Sequence, residues 1–282
     1  MSIFYKQFQS MGTRLDLVLS DADKGASAKV AELVHLELIR LEHLLSVYDP
    51  DSEISTINDT AGDSWVGIGK ELSDILEECV VYHALTSGYF DITIKPAMDK
   101  LVKERSISGI VPDDISALIG MDKLIMEEGR IRFKNKGMAL DMGGYGKGYA
   151  VRCLLKILRE HGITNALISF GESLVYGHGH HPHGDCWKLA IPGSSEDISI
   201  ELLDEGISTS GNTLNNQKKF GNSGHVFNPV SLFFRTELGS VSIKAEDPVK
   251  AEVLSTAFFG AGKEASEEMT ESIDGIQTLW WF

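Results

Sequence analysis

Apolar and polar residues repeat with two different periods along the chain, and these periods predict its secondary structure. In RLDLVLS, residues 14–20, apolar residues occupy alternate positions, which is typical of a strand with one buried face. From Val30 to Leu45 the apolar residues recur every three or four positions, which predicts a long amphipathic helix. Helical spacing returns in residues 71–88, where Gly88 is a natural stop signal. A strand therefore leads into a helix near the start of the chain.

The remainder of the chain continues this mixture. Residues 124–141 predict two strands that turn at Glu128-Gly129, followed by a short apolar strand that ends at Asp141. Further on, the pattern predicts two helices, at 148–162 and at 248–262, and Pro248 opens the second. It also predicts three strands, at 165–171, 187–193 and 241–245. Because strands and helices do not alternate regularly enough for a doubly wound sheet, the predicted fold class is α+β. We expect residues 1–282 to form a single domain, with a lobe edge or an insertion near residues 100–120.

Composition and charge limit the classes of molecule that the protein is expected to bind. The 282 residues are 43% hydrophobic, which is enough for a large core. With 26 Lys+Arg against 41 Asp+Glu, the formal net charge of −15 repels nucleic acid and anionic lipid, so an anionic ligand needs a local site. The sequence shows neither a signal-peptide pattern nor a run of about 18 apolar residues. We expect a cytoplasmic protein without a membrane partner, whose three separated cysteines are reduced thiols.

One glycine-rich stretch, LDMGGYGKGYAVR at residues 140–152, surrounds Lys147 with four glycines. A turn into a helix N-terminus presents backbone N–H groups to which an anion can bind. A P-loop nevertheless requires Gly where Asp141 stands and Ser or Thr where Gly148 stands, and a dinucleotide fingerprint requires Gly at Val151. The residues alone leave two interpretations open, an anion site and a tight packing device.

Six separate segments, taken in order, resemble one family. The segments are MGT at 11–13 in the first strand, SVYDPDSEISTIN at 46–58, SGYFDITIKPAMD at 87–99, ALDMGGYGKGYAV at 139–151, SGHVFNP at 223–229 and AEVLSTAF at 251–258. Together they resemble the ApbE-type flavin transferases, the FAD:protein FMN transferases, over about residues 8–262.

The resemblance implies a two-lobed α+β fold that binds FAD and one Mg²⁺ between the lobes. It implies cleavage of the FAD pyrophosphate and transfer of FMN, as a phosphoester, to a threonine hydroxyl of an acceptor flavoprotein, with release of AMP. Such a transfer needs mainly positioning and neutralisation of charge on oxygen, which a glycine-rich turn, a lysine and a metal supply.

The resemblance also assigns roles to individual residues. Lys147 would meet phosphate, and His225 would be the general base for the acceptor hydroxyl. The residues implied to contact FAD are Met11, Tyr48, Tyr89, Phe90, Asp91, Asp141, Lys147 and Phe227. The implied metal ligands are the Gly144 carbonyl, Glu252, Ser255 and Thr256.

Departures from the family pattern leave alternatives open. Glu252 stands where the family usually has Asp, Asn228 where Asp precedes Pro, and Thr213 where Tyr is common. FAD hydrolysis by water, or FAD binding without catalysis, therefore stays open beside transfer. A histidine-rich stretch, residues 178–183, carries ligands for Zn²⁺, Ni²⁺ or Cu²⁺, but its glycines and proline predict an exposed loop and adventitious binding.

Overall fold

A sheet of seven strands forms the frame of the protein. The computed structural model describes residues 3–21, 23–104, 111–171, 173–191, 198–212 and 226–281. The strands are β1 Ile3–Ser10, β2 Thr13–Ser20, β3 Val66–Gly67, β4 Leu124–Glu127, β5 Arg130–Phe133, β6 Asn165–Phe170, β7 Leu174–His178, β8 Trp187–Ile191, β9 Ile198–Leu202, β10 Glu205–Asn212, β11 Phe227–Asn228, β12 Phe233–Phe234, β13 Gly239–Ala245 and β14 Ile276–Trp281. The seven run in the order β1-β2-β6-β7-β10-β13-β14, and each neighbouring pair is antiparallel.

Helices pack between and beside the strands. They are α1 Lys24–Leu45, α2 Glu53–Thr60, α3 Lys70–Leu85, α4 Lys95–Glu104, α5 Asp113–Ser116, α6 Gly146–Glu160, α7 Pro248–Ala261 and α8 Lys263–Thr270, with a 3₁₀ turn at Met121–Lys123. An antiparallel sheet combined with these helices confirms the predicted α+β class.

The strand β2 shows how alternation divides the core. Leu15, Leu17 and Leu19 are fully buried in the main core, which includes α1, α6 and α7. Val18 points to the opposite face of the sheet, where it packs with a cluster that includes Trp187 of the β8–β9 hairpin. Helix α7 is apolar on nearly all sides because it is surrounded by protein.

A smaller cluster lies beside the main core. Ala97 and Leu101 of α4 pack there with Val111, Phe227 and Phe234. The predicted lobe edge near residues 100–120 falls partly outside the described residues, and the single-domain organisation stays a prediction.

None of the helices in the described ranges combines the length and the apolarity that crossing a bilayer requires. The cytoplasmic location also stays a prediction.

Two local predictions were wrong. The segment 11–13 was expected in a strand, but Met11 (φ 51°) and Gly12 (φ 71°) form a two-residue turn between β1 and β2, with the positive φ angles of a type I′ hairpin. Strand β1 itself had no prediction.

Residues 138–141, all of which the structure describes, are irregular where a strand was predicted. The reason is that the side-chain amide of Asn58 takes the place of a neighbouring strand. It accepts from the N–H of Leu140 at 2.7 Å and donates to the carbonyl of Leu140 at 3.0 Å. The N–H of Asp141 donates to the carbonyl of Ile92 at 2.7 Å.

Helices α6 and α7 meet backbone to backbone at Gly148. A Cβ added at Gly148 would lie 2.7 Å from both the carbonyl oxygen of Pro248 and the Cα of Val249. Packing therefore explains this glycine. Arg152 strengthens the junction because its guanidinium pairs with Glu78 of α3 at 2.8 Å and with Asp247, the N-cap of α7, at 2.6 Å.

We expect Gly148→Ala to lower the free energy of unfolding by about 2 kcal/mol, because backbone atoms cannot move away from the new methyl group. A loss of stability would be diagnostic, since replacing glycine by alanine within a helix otherwise stabilises it by about 1 kcal/mol. Urea denaturation measures the change. The matched control is Gly67→Ala in β3, where a Cβ would meet nothing within 4 Å. Equal stabilities of the Gly148→Ala variant and the parent protein would show that the helices separate easily.

Candidate functional site

Two adjoining cavities lie beside the glycine-rich turn. One has a volume of about 370 Å³ and the other about 300 Å³. They share the residues Tyr48, Asp141, Gly143 and Lys147, so they form one continuous cleft. A cleft of this size with few charged groups is typical of a small-molecule site.

The first cavity is built on the β1–β2 turn and the end of α1. Its lining includes Met11, Gly12, Glu42 and Tyr48. The carboxylate of Glu42 accepts hydrogen bonds from the N–H of Met11 at 3.2 Å and from the hydroxyl of Ser10 at 3.3 Å. Because a non-glycine residue with positive φ is strained, these bonds help to hold Met11 in its turn. Tyr48 is 89% exposed and stands at the mouth.

The second cavity contains a buried carboxylate. Asp91 is 6% exposed and accepts hydrogen bonds from the N–H and the hydroxyl of Thr93 at 2.7 and 2.6 Å. Nδ1 of His83 lies 3.6 Å from the other carboxylate oxygen and 2.8 Å from the carbonyl oxygen of Phe90. Burial raises the pKa of Asp91 from its ordinary value of 3.8, and the Thr93 hydrogen bonds oppose this shift.

The glycine-rich turn uses many of its own N–H groups. Gly143 donates to the carboxylate of Asp141 at 2.7 Å, and Tyr145 and Gly146 donate to the carbonyl of Met142. Gly148 donates to the carboxylate of Glu252. The expected cradle of unpaired N–H groups is therefore largely paired within the protein.

Lys147 and Glu252 form an ion pair between α6 and α7. Nζ of Lys147 contacts Oε1 of Glu252, and Oε2 of Glu252 accepts from Gly148. The Lys147 side chain is 22% exposed and lines both cavities, whereas the Glu252 side chain is 3% exposed. The lysine thus stands at the wall of the cleft and the carboxylate behind it.

Hydroxyl groups line the floor beside Gly144. Thr256 Oγ1 is 3.5 Å from where a Cβ of Gly144 would lie, and both residues line the second cavity. Ser255 is fully buried, and its hydroxyl contacts Ser208 at 3.1 Å, Ser210 at 3.0 Å and the carbonyl of Glu252 at 3.0 Å. Ser255 therefore already has three protein partners.

Comparison with known proteins identifies the family. The model of the ApbE family matches residues 11–280. The chain belongs to the ApbE family. It is 26% identical over 280 residues to the FAD:protein FMN transferase of Escherichia coli (strain K12), covering 93% of this chain and 79% of that protein. It is 25% identical over 283 residues to the FAD:protein FMN transferase of Treponema pallidum (strain Nichols), covering 89% and 76%.

Solved structures show the same fold. A mutant of the flavin transferase ApbE from Vibrio cholerae superposes with a TM-score of 0.82 at 20% identity, covering 100% of this chain and 98% of that one. The ApbE protein from Thermotoga maritima gives a TM-score of 0.82 at 22% identity, covering 99% and 94%. The ApbE fold thus spans the chain.

The residues that the ApbE resemblance singled out occupy three kinds of position. Ten line the cleft: Met11, Tyr48, Tyr89, Phe90, Asp91, Asp141, Gly144, Lys147, Phe227 and Thr256. Glu252 and Ser255 lie behind its wall and are absent from the described lining of either cavity. His225 lies outside the described residues, as does Thr213, although Val226, next to His225, lines the second cavity.

Several residues of this ApbE cleft had no sequence prediction. Glu42 supports the Met11 turn, Asn58 holds the chain before Asp141, and Ser173, Thr209 and Ser210 line the second cavity. Glu42 follows Leu41 within a helical pattern and looks like an ordinary polar helix position. Only the packing of distant segments identifies such residues.

The histidine-rich stretch of this ApbE protein was expected in an exposed loop, which is wrong for His178, because it ends strand β7 and is buried. The ring nitrogens of the stretch are directed to different partners. His178 places Nδ1 2.6 Å from the carboxylate of Asp204 and Nε2 3.2 Å from the carbonyl of Ile163. His180 Nδ1 lies 2.7 Å from the carbonyl of Asp185. Within the described ranges, no group of three or more His, Cys, Asp or Glu side chains is arranged to hold a metal ion.

We expect Asp91→Asn to be more stable relative to the parent protein as pH rises. The pKa of Asp91 in the folded protein lies above its ordinary value of 3.8. Between these two pKa values folding takes up a proton, so the parent protein loses stability as pH rises through them. Asparagine keeps an acceptor for Thr93 and has no such dependence. Urea denaturation across a pH series measures the difference, with exposed Asp51→Asn as the control. A difference that shrinks with rising pH would contradict the burial argument.

Proposed function

We propose that this ApbE-family chain transfers FMN from FAD to a threonine hydroxyl of an acceptor flavoprotein and releases AMP. One observation carries the proposal. Ten residues from separate segments, chosen for their resemblance to flavin transferases, lie around one cleft. The relatives named FAD:protein FMN transferase, which align with most of the chain, support the same function.

The two cavities suggest how FAD lies in the cleft. Met11 and Tyr48 line the first cavity, where a thioether and an exposed aromatic ring suit the faces of an isoalloxazine. Lys147 and Asp141 lie where the cavities join, so the pyrophosphate would cross there, beside the ammonium group of Lys147. Phe90 and Phe227 line the second cavity and give it an apolar wall.

The transfer exchanges one phosphorus–oxygen bond for another. The threonine oxygen bonds to the FMN phosphorus, and the bond from that phosphorus to the oxygen bridging to AMP breaks. AMP leaves with the bridging oxygen, while the proton of the hydroxyl passes to a base. We propose His225 for this base on the resemblance, because a near-neutral imidazole suits proton transfer. Lys147 would offset charge on the phosphate oxygens during the step.

The oxygen atoms near Gly144 fit a magnesium ion in part. The hydroxyl of Thr256 and the backbone of Gly144 adjoin, and Asp141 lines the same cavity, so this cavity offers several hard oxygen donors. Glu252 and Ser255 fit less well because they are absent from the described lining of the cavity and their oxygens have closer protein partners. We propose that Mg²⁺ is held by Thr256 and the Gly144 carbonyl. When bound, it would neutralise charge on the phosphate oxygens.

Incubation with FAD, Mg²⁺ and a candidate acceptor tests the transferase. We expect yellow fluorescence that stays on the acceptor after denaturation, and we expect His225→Ala to lower its rate at least about 100-fold while FAD still binds. Free FMN with AMP would instead indicate hydrolysis by water, and unchanged FAD would indicate a binding protein. Full transfer by the His225→Ala variant would remove the histidine from the mechanism.

We expect Thr256→Val to weaken Mn²⁺ binding at least about tenfold, because it removes a proposed oxygen ligand while keeping the shape of the side chain. Electron paramagnetic resonance of free Mn²⁺ measures this without any turnover. Thr270→Val in α8 is the matched control, since its hydroxyl donates to the carbonyl of Ser266 away from the cleft. Equal Mn²⁺ affinity of the Thr256→Val variant and the parent would remove Thr256 from the metal site.

A further inference from the structure

Glu252 is a buried carboxylate whose two oxygens are both engaged. The residue is 2% exposed, with Lys147 Nζ on Oε1 and the N–H of Gly148 on Oε2. A buried carboxylate needs such partners, since its charge is otherwise costly away from water. The two partners are adjacent residues in the first turn of α6, so Glu252 joins α7 to the start of α6.

The start of α6 lacks a cap of its own. Tyr145 occupies the N-cap position, and within the described residues its side chain caps no N–H group of the helix. Gly148, the third residue of the helix, would usually receive a side-chain oxygen from the N-cap. Glu252 supplies that oxygen from another helix, and its negative charge lies at the positive end of the helix dipole. The carboxylate thereby occupies the anion position that the glycine-rich turn creates.

We propose that Glu252 is a positioning residue, which orients Lys147 and caps α6, and that it is not a ligand of the divalent cation. The contacts of Glu252 point toward Lys147 and the backbone of α6, and the described lining of the cleft does not include it. Each carboxylate oxygen could accept a second partner, but Thr256 lines the second cavity and Glu252 is absent from the described lining. The assignment of Glu252 as a positioning residue stands on these contacts alone. The statement that the oriented Lys147 faces phosphate rests on the proposed function.

The contact with Glu252 restricts the conformation of the Lys147 side chain. Its ammonium group pairs with Glu252, and the residue lines both cavities. A lysine held in this way loses less conformational freedom when an anion binds than a freely rotating one does. Glutamate is one methylene longer than aspartate, and its carboxylate joins α7 to α6 through Lys147 and Gly148.

The tether, which is the contact of the Glu252 carboxylate with Lys147, is tested by measuring how accessible Lys147 is to a reagent. Trace acetylation of amines, read by mass spectrometry of each peptide, reports how accessible every lysine is. We expect Glu252→Gln to raise the acetylation rate of Lys147 about fivefold or more, because one partner of a buried ion pair is neutralised. Glu205→Gln is the matched control, since Glu205 pairs with Lys244 at 2.7 Å elsewhere on the sheet. It should raise the rate at Lys244 and leave Lys147 unchanged.

Mn²⁺ binding separates the two roles of Glu252. We expect Glu252→Gln to change the Mn²⁺ dissociation constant by less than about threefold, whereas loss of a true ligand costs about tenfold or more. A loss of Mn²⁺ binding as large as that of Thr256→Val would make Glu252 a ligand and overturn the proposal. An unchanged acetylation rate at Lys147 would overturn it as well.

Glu252→Asp provides the second variant if the glutamine variant is poorly folded. It keeps the charge but withdraws the carboxylate by one methylene, so we expect faster acetylation of Lys147 with Mn²⁺ binding retained. Unchanged acetylation in this variant would contradict the tether. Neither measurement needs FAD or an acceptor, so failure of the transferase proposal would be seen separately, in the incubation with FAD.

Discussion

The close crossing of α6 and α7 is the constraint on which the candidate site depends. At Gly148 the two backbones leave no room for a Cβ, and this fixes the start of α6 against the first turn of α7. The same crossing brings Lys147 to Glu252, and Gly144 meets Thr256 at positions four residues before Gly148 and four residues after Glu252. A shift of either helix would change the ion pair and the oxygen cluster together. Packing and chemistry therefore share one glycine-rich segment, and the two interpretations of that segment are compatible.

Electrostatics explain why an anionic ligand would need help in this cleft. The chain carries a formal net charge of −15, and Glu42, Asp91 and Asp141 add carboxylates to the lining. Lys147 lines both cavities, but Glu252 already balances its charge. A pyrophosphate entering this field gains little from the lysine alone. A divalent cation would supply the missing positive charge, which is consistent with the oxygen donors near Gly144.

Among the described elements, periodicity predicted the four longest helices and six of the strands, and the resemblance named ten of the residues that line the cleft. The helices 24–45, 70–85 and 146–160 follow from apolar spacing because each buries a continuous face, and the helix 248–261 follows from an apolar run that Pro248 opens. Contacts between distant residues could not be predicted in the same way. Asn58 replaces a strand partner for Leu140 across 82 positions, and Glu252 meets Lys147 across 105. Nothing local in the sequence records such pairs, so the tether and the irregular segment before Asp141 emerged only from the fold.

The site contains several features that oppose stability, and the surrounding core has to offset them. Met11 is held at a positive φ, Asp91 is a carboxylate whose pKa is raised by burial, and the Lys147–Glu252 pair is largely removed from water. All three lie at or behind the cleft, where chemistry requires polar groups in fixed positions. Beneath them, α7 is buried on nearly every side, and Arg152 ties α6 to α3 and to the N-cap of α7. These supports converge on the helix junction that carries the Lys147–Glu252 pair, whereas Met11 and Asp91 are held locally by Glu42 and Thr93.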